Sequence, residues 1–127
     1  MEALIAAARL ARENAHAPYS HFRVGAALED ISGRIFTGCN VENATLGLTV
    51  CAERVAVLKA LSEGAKSFRC IVVVADTERL TSPCGACRQI LWEFCGDIEV
   101  VLANLRGQTK VLQMSQIFPE PFDASLL

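Results

Sequence analysis

The sequence predicts a three-layer α/β/α domain in which helices cover a mixed sheet of about five strands. Two segments, 70–74 and 98–104, are continuously apolar and rich in Val and Ile, which is typical of strands covered on both faces. A helical pattern separates them, so they should run parallel through a right-handed crossover. Two earlier strand patterns, 22–28 and 34–40, flank the turn sequence EDISG and predict an antiparallel hairpin. Parallel and antiparallel pairs together make the sheet mixed.

The first half of the chain is predicted to be a helix followed by this hairpin. Over residues 1–14, apolar side chains such as Leu4 and Ala8 recur at helical spacing opposite charged ones, which predicts an amphipathic helix. Pro18 breaks the pattern. Over 22–29, the apolar residues Phe22, Val24, Ala26 and Leu28 alternate with Arg23, Gly25, Ala27 and Glu29. This period of two predicts a strand buried on one face only.

The second half is predicted to contain two helices and three strands. The helix over 51–62 should bury the stripe formed by Val55, Leu58 and Leu61, and Gly64 should end it. Another helix should run from about Cys84 to Cys95, because Pro83 suits the first position of a helix and Gly96 can end it. The sequence TKVLQM, 109–114, predicts a weak final strand, and the tail with its two prolines should be irregular.

Length and composition indicate one domain, residues 1–127, with 52% apolar residues to form its core. The net charge is −2 and the basic residues are scattered, so we expect no nucleic acid partner. No apolar run approaches the roughly 20 residues that cross a bilayer, and the N-terminus lacks the pattern of a secretory signal. We therefore expect no membrane partner and a cytoplasmic location, where the six cysteines would bind metal or be buried.

Three cysteines are the candidate metal ligands. Cys84 and Cys87 lie in the first turn of one predicted helix and Cys51 at the start of another, where free N–H groups and the helix dipole stabilise thiolates. If both helix starts lie at one edge of the sheet, the three thiolates can share one Zn²⁺. Three protein ligands leave the open position that catalytic zinc sites have. We expect no fourth ligand from His16 or His21, and we expect Cys39, Cys70 and Cys95 to be buried hydrophobes.

Glu53, two residues after Cys51, is the candidate acid/base. An isolated glutamate at this position would serve only the helix dipole. Beside an open zinc it could instead take a proton from water and pass it to a substrate. The pattern C-x-E followed by P-C-x-x-C matches, with Cys in place of His, the signature of zinc-dependent deaminases. Arg54 is either a solvated helix charge or a guanidinium that hydrogen-bonds the ligand sulfurs and so offsets the excess negative charge of three thiolates on zinc.

The segments FRVGAALE, GCNVENA, CAERVAVLKA and PCGACRQ resemble, in order and spacing, the small homotetrameric cytidine deaminases of pyrimidine salvage. The likeness runs from Tyr19 to the FPEPF tail and implies a single cytidine deaminase-like domain. It also implies that Zn²⁺ is held by Cys51, Cys84 and Cys87, with Glu53 as the proton shuttle. The implied substrates are cytidine and deoxycytidine, deaminated to uridine and deoxyuridine near the subunit boundaries of a homotetramer.

The resemblance further implies substrate contacts. Asn40 and Glu42 match the pair that binds the ribose hydroxyls, Phe22 the aromatic beside the pyrimidine, Ala52 a backbone N–H donor to the base, and Phe122 a tail aromatic that reaches a neighbouring subunit's site. Taken from the residues alone, Phe22 could be plain core, the Asn40–Glu42 pair a turn, and Phe122 a tail anchor.

One residue departs from the family pattern, and three other functions remain open. Leu46 stands where many relatives have an aromatic residue, which puts substrate preference and the contact between subunits in doubt. The alternatives are a deaminase of a related aminonucleoside antibiotic of the blasticidin type, a non-catalytic binding module stabilised by zinc, and a dithiol redox protein. The redox function is the weakest, because it leaves Cys51 and Glu53 without roles.

Overall fold

A computed structural model describes residues 1–127. The helices are α1 (Glu2–Arg12), α2 (Ala52–Ser62), α3 (Gly85–Cys95) and the short α4 (Met114–Ile117). The strands are β1 (Val24–Asp30), β2 (Ile35–Cys39), β3 (Phe68–Ala75), β4 (Glu99–Ala103) and β5 (Thr109–Gln113). Two single turns of 3₁₀ helix lie at Leu46–Leu48 and Ala124–Leu126. No helix is long and apolar enough to span a membrane.

The five strands form one mixed sheet in the order β2-β1-β3-β4-β5. The β1–β2 hairpin is antiparallel, as predicted, and β3 and β4 are parallel with α3 between them. The remaining pairs, β1 with β3 and β4 with β5, are antiparallel. The loop that joins β3 to α3 leaves the sheet at the carboxyl ends of the two parallel strands. The start of α2 lies at the same edge, close to the start of α3.

Helices cover both faces of the sheet, which confirms the predicted three layers. On one face, Leu4 and Ala8 of α1 pack against a cluster that includes Val72 and Val101. On the other, α2 and α3 pack against the larger cluster, which contains Val57, Leu91 and Ile71. The sheet therefore separates two hydrophobic clusters and contributes residues to both.

The prediction that β1 is buried on one face only is wrong. Almost every residue of β1 is buried, because α1 covers the face on which Gly25 and Ala27 lie. A Cβ at Gly25 would come within 2.0 Å of the Ala8 carbonyl oxygen, so this glycine allows α1 to lie directly on the strand. The alternating pattern missed this layer because glycine and alanine do not register as an apolar face.

The predicted buried stripe of α2 holds only in part, because Val55 and Leu61 are partly buried and Leu58 is not. Leu58 is 50% exposed, and the buried face instead consists of small residues, Ala52, Ala56 and Ala60, together with Val57. The reason is the close approach of α2 to β2, where a Cβ at Gly38 would lie 2.5 Å from the Ala52 oxygen. The Cβ of Val55 lies at the same contact, 2.9 Å from that position, whereas Leu58 faces solvent.

Two other boundaries differ from the prediction. Helix α3 begins at Gly85 with Cys84 as its N-cap, so Pro83 precedes the helix instead of occupying its first position. The region after β5 is more ordered than predicted, since Gln113 and Gln116 form a reciprocal capping box that starts α4. Gly64 and Gly96 both have positive φ where α2 and α3 end, as predicted.

Candidate active site and metal centre

The candidate site is a cavity of about 240 Å³ at the N-terminal ends of α2 and α3. Seven of the residues singled out by the sequence line it: Phe22, Asn40, Glu42, Cys51, Ala52, Glu53 and Cys84. The other lining residues are Ser20, Val24, Thr49, Thr81 and Ser82. Residues from four separate stretches of chain thus meet at one opening.

Three thiols converge beside this cavity from two helices. Cys51 is the N-cap of α2, Cys84 is the N-cap of α3, and Cys87 lies in the first turn of α3. Their sulfur atoms all lie within 4.8 Å of one another. The structure therefore brings together the three cysteines that the sequence nominated, and no fourth Cys, His, Asp or Glu joins the group.

The donor set fits zinc. Sulfurs on a tetrahedral zinc lie roughly 3.8 Å apart, because each Zn–S distance is about 2.3 Å. A small contraction of the observed cluster reaches that spacing. Cys87 is buried and Cys84 is exposed, so the cluster is closed on the protein side and open toward the cavity.

The thiols have opposed proton affinities in this arrangement. The pKa of Cys51 is lowered, because it accepts a hydrogen bond from the Cys87 thiol and lies beside Arg54. The pKa of Cys87 is raised by the same hydrogen bond and by burial. The cluster thus already favours one thiolate, the form of cysteine that binds a metal.

Arg54 lies against this cluster and not in solvent. Its Nη2 donates to the Thr49 carbonyl at 3.0 Å and to the Cys51 sulfur at 3.5 Å. Its Nε is buried and has no hydrogen-bond partner. A half-buried cation with a spare buried donor beside three thiols matches a metal centre with excess negative charge.

Glu53 is a buried carboxyl group at the cavity wall, with only 5% of the residue exposed. It forms no ion pair. Burial raises its pKa to about 7, with a further contribution from the negative charge of Cys51. It does not belong to the group of candidate ligand atoms. The structure thus holds a buried carboxyl group beside the thiols but outside the candidate ligand set.

The first turn of α2 offers unpaired backbone donors. The N–H groups of Ala52, Glu53 and Arg54 donate to no backbone carbonyl, as expected at a helix start. Ala52 is fully buried and lines the cavity. Its N–H is therefore available to a polar group that enters there.

Asn40 and Glu42 line the cavity and also hold the chain around Phe22. The Asn40 amide accepts from Val24 N at 2.9 Å and donates to Phe22 O at 2.7 Å. Glu42 accepts from the backbone N–H of Tyr19 at 2.9 Å. Phe22 is 42% exposed, so it lies at the cavity mouth and not in the core.

Phe122 and Leu46 lie away from the cavity. Phe122 is largely exposed, and its carbonyl accepts a hydrogen bond from Gln89 of α3 at 2.8 Å. The neighbouring Asp123 accepts from Trp92 of the same helix at 3.2 Å. Leu46 is exposed at the start of a 3₁₀ turn. Neither side chain reaches the site of its own chain.

Sequence reasoning missed Ser20 and Arg88. Ser20 contacts Glu42 and Phe22 at the cavity wall. Arg88 donates to Pro83 O and to Ser82 Oγ, each at 2.8 Å, and so fixes the loop that leads into Cys84. The one available signal was position, because Arg88 lies one helical turn after Cys84 and Ser20 lies two residues before Phe22.

Comparison with known proteins identifies relatives over nearly the whole chain. Residues 1–104 match the model of the cytidine and deoxycytidylate deaminase zinc-binding region. A cytidine deaminase of Sporosarcina psychrophila is 50% identical over 96% of this chain and 90% of its own. The crystal structure of cytidine deaminase from Burkholderia pseudomallei superposes with a TM-score of 0.93 at 48% identity, covering 95% of this chain and 98% of its own. That from Mycobacterium tuberculosis gives 0.83 at 34% identity, covering 96% of each chain.

Proposed function

We propose that this chain, which belongs to the cytidine and deoxycytidylate deaminase family, is a zinc-dependent enzyme that hydrolyses cytidine and deoxycytidine to uridine and deoxyuridine with release of ammonia. The reaction suits the salvage of pyrimidine nucleosides. The observation that carries the proposal is the meeting of three thiols with an uncoordinated, buried carboxyl group at one nucleoside-sized cavity.

Cys51, Cys84 and Cys87 would hold the zinc through their thiolates. When bound, zinc supplies Lewis acidity, which lowers the pKa of water toward neutrality. Arg54 would offset the formal charge of −1 that three thiolates leave on the ion, since its guanidinium already contacts Cys51. Arg54→Ala should weaken zinc binding about tenfold. Unchanged zinc retention together with an unchanged pH profile of activity would remove this role.

Glu53 is proposed to move the protons. Its carboxylate would accept a proton from the attacking water and donate it to N3 of the base, which makes C4 electrophilic. The water oxygen would bond to C4, and Glu53 would then carry the second proton of the water to the amino group on C4. The C–N bond breaks, ammonia leaves, and the carbonyl of the uracil base remains. Two features of Glu53 suit proton transfer: the residue is buried, and no ion pair competes for its carboxylate.

The cavity wall is proposed to position the nucleoside. Phe22 would pack against the pyrimidine, and the free N–H of Ala52 would donate to the base. Asn40 and Glu42 would bind the sugar hydroxyls with the hydrogen-bonding capacity left after their contacts with the chain. Each retains some, since an amide has two N–H donors and a carboxylate has about four acceptor sites.

We propose that the enzyme assembles as a homotetramer with its sites near subunit boundaries, and that Phe122 reaches the site of a neighbouring subunit. Support comes from large apolar side chains exposed on the segment between β2 and α2 and on α2 itself, namely Val41, Leu46, Leu48 and Leu58. Light scattering coupled to size exclusion should give four times the chain mass of 13.7 kDa. A particle of a single chain mass would contradict the assembly without touching the chemistry.

A reducing compartment, such as the cytoplasm, is the proposed location. All six cysteines are free, and three of them lie close enough together to oxidise with one another in an oxidising compartment. Fractionation with a cytosolic marker tests the location.

The deciding experiment follows ammonia release and pyrimidine absorbance with cytidine, deoxycytidine, cytosine and CMP side by side, on protein with measured zinc content. We expect turnover of both nucleosides and little of cytosine, which lacks the sugar that Asn40 and Glu42 would bind. Zinc-loaded protein that releases no ammonia would contradict the enzyme and support a zinc-stabilised binding module. Turnover confined to an aminonucleoside antibiotic would support the blasticidin-type reaction.

A further inference from the structure

We propose that Ser20 is a positioning residue that couples the Glu42 carboxylate to the Phe22 ring, so that occupation of the sugar subsite steadies the aromatic side chain beside the base. The inference rests on the proposed function for what Glu42 and Phe22 bind. The contacts that carry it are hydrogen bonds within the chain.

The Ser20 hydroxyl lies between the two residues. It donates its single proton to Glu42 Oε2, and its oxygen accepts the backbone N–H of Phe22 at 3.0 Å. Glu42 forms no hydrogen bond with Phe22 itself. The hydrogen-bonded route from Glu42 Oε2 to the Phe22 backbone N–H therefore runs through the Ser20 hydroxyl.

The loop that carries Phe22 depends on such contacts. His21, the residue between Ser20 and Phe22, has φ of 59°, a left-handed conformation that is unfavourable for a side chain with a Cβ. Glu42 Oε1 holds the loop just before it through the backbone N–H of Ser20 at 3.1 Å and of Tyr19. The Phe22 carbonyl is held by Asn40. The strained loop is thus fixed on both sides by the two residues assigned to the sugar.

Hydrogen-bond capacity makes Oε2 the point of coupling. Each carboxylate oxygen accepts about two hydrogen bonds. Oε1 already accepts two, from Tyr19 and Ser20, whereas Oε2 accepts only that of the Ser20 hydroxyl. The remaining place for a sugar hydroxyl is therefore on the oxygen that Ser20 also contacts. A sugar bound there orders Glu42, and through Ser20 it orders Phe22.

The kinetic test is a cycle of two substrates and two proteins. Cytidine and 2′,3′-dideoxycytidine are compared in the wild type and Ser20→Ala, with zinc content measured in each. We expect kcat/KM for cytidine to fall about tenfold, the scale of one hydrogen bond to a charged group, mainly through KM. For the dideoxy substrate, which offers no ring hydroxyl to Glu42, we expect a fall of about twofold or less. Ser20→Thr, which keeps the hydroxyl, should restore the cytidine values.

Ser32→Ala is the matched control, because Ser32 also donates its hydroxyl to a carboxylate, that of Asp30, in the turn between β1 and β2 at 2.7 Å. It should leave the kinetics of both substrates unchanged. An equal fall for both substrates in Ser20→Ala would mean that Ser20 serves only the loop, and no fall would mean that it serves neither. Either result overturns the proposal.

Amide hydrogen exchange, resolved at Phe22 by NMR, tests the relay without any turnover. The Phe22 amide should exchange faster in Ser20→Ala and also in Glu42→Ala, although Glu42 does not contact that amide, and it should be unchanged in Ser32→Ala. Protection that persists in Glu42→Ala would overturn the coupling. If zinc-loaded wild type released no ammonia from cytidine, the proposed function would fail, and the exchange measurement would still decide the role of Ser20.

Discussion

On each face of the sheet a glycine allows a helix to pack closely on a strand, but only one face carries the candidate site. On one face, Gly25 lets α1 lie against β1, and on the other, Gly38 lets α2 lie against β2. The α1 face holds a purely apolar cluster with one buried cysteine, Cys70. The face covered by α2 and α3 holds three cysteines at helix starts and the buried carboxyl group of Glu53.

The difference teaches that packing and chemistry occupy different parts of a helix. Helix α1 contributes Leu4 and Ala8 to an apolar core and lines no part of the candidate site. Helices α2 and α3 contribute to a core too, but their first turns also line the candidate site, and the N–H groups there donate to no backbone carbonyl. Cysteine at those positions meets a positive dipole end, whereas Cys70 meets Glu29 and Glu99.

The largest contrast should come from removing one cysteine from each face. Cys84→Ala leaves two thiols for the metal, so zinc should be lost and activity should fall to background. Cys70→Ala removes a small buried side chain and should keep both zinc and activity. Metal content and ammonia release on purified proteins measure both. Retained zinc and activity in Cys84→Ala would show that the cluster is not the metal centre.

Glu53→Gln and Leu4→Ala separate chemistry from packing. The glutamine cannot take or give the proton, so kcat should fall by about 10²–10⁴ while zinc stays bound. Leu4→Ala, in the α1 core, should lower the free energy of unfolding by about 2–5 kcal/mol and leave kcat of the folded protein unchanged. Steady-state kinetics and denaturant unfolding give the two numbers. Turnover by Glu53→Gln at the wild-type rate would exclude the shuttle.

The two glycines give a matched pair with a smaller effect. Gly25→Ala and Gly38→Ala each force a helix backbone away from a strand, and each should cost about 1–3 kcal/mol of stability. Only Gly38→Ala moves Cys51, which begins α2, relative to the two cysteines of α3. Its zinc affinity should fall about tenfold, while Gly25→Ala should keep the wild-type affinity. Chelator competition measures both, and equal affinities would show that the position of α2 does not limit the metal site.

The smallest effect concerns pH and the cysteine of the α1 face. Burial and two nearby glutamates raise the pKa of Cys70 to about 12. The unfolded chain releases that thiol proton near pH 9, before the folded chain does, so this cysteine lowers the free energy of unfolding as pH rises from about 9 to 12. The loss between pH 8 and pH 10 should be smaller in Cys70→Ala than in the wild type. Thermal unfolding at both pH values measures it, and identical losses would contradict the shift.

The amino-acid sequence was sufficient to predict the strands of the mixed sheet and the three cysteines that meet at the candidate metal centre. The apolar runs 70–74 and 98–104 are unusual enough to require strands covered on both faces. The spacing of Cys84 and Cys87 places both thiols on one turn of a helix. Cys51 and Glu53 likewise lie within the first turn of another helix. These features are local, so a short stretch of chain is enough to specify them.

Which faces are buried and how the cavity wall is built depend on tertiary contacts. The close contacts at Gly25 and Gly38 set how near α1 and α2 lie to the sheet, and they changed which residues of β1 and α2 are buried. The contact of Ser20 with Glu42 joins residues 22 positions apart in the chain. Such contacts depend on where two segments meet in space, which no spacing along the chain encodes, and a glycine or serine leaves no apolar pattern to reveal them.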